Sequence, residues 1–152
     1  MAVWQEMVDV LREQLALYEA MLELANKKSE LIVDGKVREL EKLVLTEENL
    51  LAQGGQLEVR RQNLQEEVME KLQIQEEALT LRSLIRHAPD SWRGELASCE
   101  DNLLQVIDEL SQQNQVNGQL LENALRLVNY QLSILEPDTS GVERRAYLDR
   151  KA

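Results

Sequence analysis

Apolar residues recur at alternating three- and four-residue spacing along almost the entire chain, and few residues interrupt them. That period places them on one face of successive α-helices, and no segment shows the alternation of a half-buried strand. In the first helix, predicted over residues 2–33, Trp4, Leu11, Tyr18, Ala25 and Ile32 form one seven-residue column, and Val8, Leu15 and Leu22 form the facing one. Together they make a coiled-coil seam. A further column, Val3, Val10, Leu17, Leu24 and Leu31, widens the apolar face beyond what a two-stranded coil needs, so this helix is expected to touch two neighbours. Composition agrees: two Pro, six Gly and no Phe in 152 residues suit long helices and not a sheet.

Gly35 can adopt the left-handed conformation that closes a helix, so Asp34-Gly35 is predicted to end the first helix. The second, over residues 36–76, then follows as an antiparallel neighbour. Its main column is Leu43, Leu50, Leu57 and Leu64. A flanking column, Leu40 and Val68, also contains Glu47, Gly54 and Arg61. The charges read either as a polar layer that fixes register or as a strained site or second contact patch. Gly54-Gly55 marks either a close helix approach or a bend. Thr80 is a candidate N-cap for a short helix over 80–87, and Pro89 stops it. Asp90-Ser91 then opens a third long helix over 91–135. The expected fold is all-α, an up-down-up antiparallel bundle of three long helices with one short connecting helix, occupying residues 1–135. Residues 136–152 carry Pro137 and Gly141 without periodicity and are expected to form a flexible tail.

The seam of the third helix runs Trp92, Leu96, Cys99, Leu103, Val106, Leu110, Gln113, Asn117, Leu120, Ala124, Leu127, Gln131, Ile134. Gln113, Asn114 and Asn117 break it with polar residues, and Asn114 and Asn117 join Glu47 and Arg61 as the candidate polar layer. Beyond the break there are two adjacent stripes. One is Leu120, Ala124, Leu127 and Ile134; the other is Leu121, Leu125, Val128, Leu132 and Leu135. One stripe suffices to pack on a small bundle. The second calls for another internal helix or another protein, and a partner's helix taken into an apolar groove is the central expectation. Leu120, Leu121, Leu125, Val128, Leu132 and Leu135 are the candidate binding residues. The rivals are a homodimeric coiled-coil protein that uses this stripe as its own interface, and an adaptor with a different partner.

Little in the chain points to catalysis. The single His, His87, sits by a turn, and the single Cys, Cys99, lies on an apolar seam. A di-iron bundle needs inward Glu-x-x-His pairs, and the residue three before His87 is Leu84. There is no glycine-rich phosphate loop and no CxxC. The expectation is therefore a non-enzyme without cofactor or metal. The net charge of −11 disfavours nucleic acid and anionic lipid as partners. No apolar run approaches the roughly 20 residues needed to span a bilayer. A lone cysteine fits a reducing compartment, and the start MAVWQEMVDV lacks a basic region before an apolar run, so the expected location is the cytoplasm.

In three places the chain resembles the FlgN-type flagellar export chaperones. EKLVLTEENL and LEVRRQNL, with Glu47 and Arg61, follow the Gly35 break as in the family's second helix. NQVNGQLL, residues 114–121, resembles the last-helix motif. Tyr147 follows the Glu136-Pro137 break as the family's tail tyrosine does, although the glycine that commonly comes soon after is absent. The resemblance implies a small, acidic, cytosolic chaperone, and a monomer or weak dimer is the expected state. It would bind the C-terminal helical region of hook–filament junction proteins and deliver them to the flagellar export-gate protein, with Tyr147 touching the gate.

Overall fold

The computed structural model describes residues 2–75 and 80–135. Four helices follow in order: α1 (Ala2–Asp34), α2 (Val37–Leu72), α3 (Leu81–His87) and α4 (Asp90–Leu135). Among the described residues there is no strand. The three long helices run up, down and up. Glu13 pairs with Arg60 and Lys28 with Glu47, so α2 descends beside α1. Arg12 pairs with Glu95, and Asn117 bonds Ala25, so α4 ascends beside it.

The turns are written in local chemistry. Gly35 takes φ +67°, and the Lys36 amide donates back to the Leu31 carbonyl at 3.0 Å, closing α1 with a left-handed C-terminal cap. α2 ends at Leu72, four residues short of the expected boundary. Gln73 adopts the left-handed conformation at φ 53°, and the Ile74 amide returns to the Met69 carbonyl. The end therefore comes without a glycine, which is why composition did not mark it. Thr80 caps α3 as its sequence suggests, its hydroxyl accepting from the Ser83 amide at 3.1 Å.

α1 is the spine. It packs along α2 on one side and α4 on the other, while α2 and α4 approach each other far less extensively. This accounts for its wide apolar face: Val3, Val8, Val10, Leu11 and Leu17 are buried together with Trp4, whereas α2 buries only Leu43, Leu64 and Val68. The core is concentrated at one end. There Trp4, Met7 and Leu11 meet Leu64 and Val68 of α2, Leu84 and Ile85 of α3, and Leu96, Cys99 and Leu103 of α4. α3 closes this end by packing on α4. At mid-height α1 and α2 approach closely: a Cβ placed on Gly54 would lie 3.2 Å from a Leu17 methyl, whereas one on Gly55 would meet nothing within 4 Å. Of the two sequence readings of this pair, Gly54 is thus a close approach.

Candidate functional site

The opposite end of the molecule is open. The α4 seam is buried on α1 at Leu96, Cys99, Leu103, Val106, Leu110 and Asn117, and half-buried at Leu120. After that its apolar residues face outward: Leu121, Leu125 and Leu132 are about 40% exposed, Leu127 58% and Leu135 79%. One of the two stripes was expected to pack inside the bundle, and this expectation is corrected. Ala124, Leu127 and Ile134 are as uncovered as the neighbouring stripe. The reason lies on α1. Its facing column Val8, Leu15, Leu22 reaches Ser29, whose hydroxyl turns back to the Asn26 carbonyl at 2.7 Å, and Lys28 beside it is held by Glu47. Past Ala25 the spine has only nine more residues, ending at Asp34, while α4 runs eighteen beyond Asn117 and so continues as an overhang.

The candidate binding residues fall on this overhang. Leu121, Leu125, Val128, Leu132 and Leu135 are exposed together, and Leu120 marks the boundary where the α1 contact ends. Tyr147 lies outside the described residues, as does the whole expected tail 136–152. More apolar surface is exposed around the α1–α2 turn, at Val33 and Val37, and on α2 at Leu45 and Leu51.

The candidate polar residues do not form one layer. Asn117, 3% exposed, donates to the Ala25 carbonyl at 2.8 Å and accepts from Gln113 at 3.1 Å. At about that height Lys28 and Glu47 make a half-buried ion pair at 3.0 Å, and Asn114 lines the same cleft. Arg61 sits well below. It forks onto Glu58 with bonds of 2.6 and 3.0 Å and reaches Gln65 at 2.8 Å, and Gln14 of α1 donates to the same carboxylate at 3.0 Å. These bonds, led by Arg61, hold the Glu58 carboxyl below its ordinary pKa against the opposing effect of burial, and Glu58 in turn raises that of Arg61. Gln14, Lys28 and Glu58 were not singled out from the sequence. For Gln14 a signal existed: it lies three residues after Leu11 and three before Leu17 on the apolar face, and it is 5% exposed.

A groove floored by α1 lies between α2 and α4. Its lower part, an open cleft of about 390 Å³, is lined by Tyr18, Arg61, Leu81, Leu104 and Ile107 among others. Its upper part, about 340 Å³, lies between Leu51 of α2 and Gly118 and Leu121 of α4, above Lys28 and Glu47. Cys99 is buried, and burial pushes its thiol pKa upward, as expected of a small core residue and not of a reactive thiol. Among the described residues no group of three or more His, Cys, Asp or Glu could hold a metal ion. No helix there is long and apolar enough to cross a membrane.

These features define an open bundle of three long helices that leaves one apolar helix face without a partner. The model of the FlgN protein family matches residues 1–151, and the chain belongs to the FlgN family. This is a family of flagellar export chaperones, which act in flagellum biogenesis. No curated protein and no solved structure gives a match.

Proposed function

We propose that this protein is a cytoplasmic export chaperone for hook–filament junction proteins, taking their C-terminal helical region onto the α4 overhang. The observation that carries the reading is the exposure of Leu121, Leu125, Val128, Leu132 and Leu135 on one side of a helix that has already left its own bundle. Solvent-facing apolar rows of this length mark contact surfaces, and an amphipathic client helix laid along them matches the recurring helix-in-groove mode. Burial of apolar area, at roughly 25 cal/mol per Å² gross, supplies the affinity, less the cost of ordering the client. The chain acts as a monomer or weak dimer, without catalysis or cofactor, and Tyr147 contacts the export-gate protein once the client is loaded.

Light scattering after size exclusion tests the reading, with the chain alone and with a C-terminal fragment of a junction protein. A monomer that shifts to a one-to-one complex, and a Leu121→Asp variant that does not shift, support it. A stable dimer that ignores the fragment would show that the stripe is a self-interface. For the tail, Tyr147→Ala should bind client normally and export it poorly; unchanged secretion in cells would remove Tyr147 from the mechanism.

A further inference from the structure

The overhang is not an isolated surface. Ile107, Asn114, Gly118, Leu121, Leu125 and Leu132 are spaced by seven, four, three, four and seven residues, so they lie on one face of α4. The lower members of this row are the α4 wall of the groove between α2 and α4, and the upper members are the exposed stripe. The spacing aligns the two along one side of α4. The opposite wall has a different character. Glu47, Leu51, Glu58, Arg61 and Gln65 share a face of α2, and only Leu51 among them is apolar. The charges on that wall are already paired, Glu47 with Lys28 and Glu58 with Arg61.

We infer that the client helix does not stop at the overhang but continues down the groove, packing as a fourth helix between α2 and α4. This rests on the capture reading above and extends it to α2. The occupant is an amphipathic helix that sets an apolar stripe against α4 and uncharged hydrogen-bonding side chains against α2, since the paired walls leave no net charge to neutralise. From Leu104 to Leu132 the track is about 42 Å long, so the client helix has about 28 residues. Its polar positions should recur about 16 Å apart, the separation of Glu47 and Glu58 along α2. Two other occupants fit less well. The overhang of a second copy, residues 121–135, is only about 22 Å long and would cover about half of the track. The chain's own residues 136–152 offer Val142, Tyr147 and Leu148 as their only large apolar side chains, too few for such a row.

The test compares two C-terminal fragments of a junction protein, of about 15 and about 30 residues, on the full chain. Calorimetry gives the affinities, and hydrogen exchange locates the contact. The longer fragment should bind at least tenfold tighter and protect the α2 segment 47–61 as well as the overhang. Leu51→Asp and Ile107→Asp, both at exposed positions, should each weaken the longer fragment about tenfold and leave the shorter one unchanged. Equal affinities, with protection confined to 121–135, would overturn the groove while leaving capture by the overhang intact. Failure of the wild-type chain to bind either fragment would remove both. Protection of the groove that grows with protein concentration alone would assign it to a second copy and overturn the inference. If a substitution unfolds the chain, the exchange map of the wild type decides.

Discussion

The Asn117 side-chain amide donates to the Ala25 backbone carbonyl across 2.8 Å, just below the level where α4 leaves α1. Up to it the seam is buried; Leu120 above it is half-buried, and α4 then continues as an exposed apolar overhang. One buried polar contact thus stands at the border between the part of the molecule that holds the fold and the part available to a partner.

Removing that contact has a defined consequence. Asn117→Ala removes a second bond to a carbonyl already paired within α1 and opens a small gap, so the chain should lose about 0.5–1.5 kcal/mol of stability. Urea denaturation followed by circular dichroism measures this; an unchanged midpoint would mean that the bond adds nothing net.

The two ends of α4 should respond in opposite ways to substitution. Leu96 is fully buried in the core, so Leu96→Ala should cost about 2–5 kcal/mol. Leu121→Asp and Val128→Asp lie on the overhang at 41% and 48% exposure and should shift the midpoint by no more than about 0.5 kcal/mol, with helicity near wild type. Global unfolding of either aspartate variant would show the stripe to be internal core.

Adjacent glycines offer a matched pair. Gly55→Ala meets open space and should stabilise α2 by about 0.5–1 kcal/mol through helix propensity alone. Gly54→Ala adds the same propensity but sets its Cβ 3.2 Å from the buried Leu17, so its gain should be smaller or reversed. Thermal melts of the two variants side by side check the order; equal gains would mean that Leu17 moves aside freely.

Glu58 makes the stability depend on acid. Its folded pKa is depressed, chiefly by Arg61, so its contribution is fully present above the unfolded value near 4.5 and is lost as the pH falls through the lower folded value. Glu58→Gln should therefore destabilise the chain at pH 7 and have a shrinking effect at pH 4 and below. Denaturation of both proteins across that range tests it, and a gap that stays constant with pH would assign the effect to packing.

The sequence by itself determined the helices and much of their chemistry. Gly35 ends α1, Thr80 caps α3, Pro89 separates α3 from α4, and the wide face of α1 announces a helix with two neighbours. These are local properties, set by backbone conformations and by three-and-four spacing, and they are legible residue by residue. The α2 terminus escaped because Gln73 took a conformation usually left to glycine. What only the tertiary structure decided is which apolar rows are covered. Ala124, Leu127 and Ile134 resume the three-and-four spacing after the polar break, yet they are exposed: level with Asn117 at Ala25, α1 has only nine residues left before it ends at Asp34, while α4 has eighteen. The polar residues followed the same logic. Glu47 and Arg61 share a column but serve different levels: Glu47 meets Lys28 of α1, whereas Arg61 pairs with Glu58 of its own helix, which Gln14 of α1 joins. Periodicity shows that a helix has a face to bury; whether anything lies opposite that face depends on residues far away in the chain.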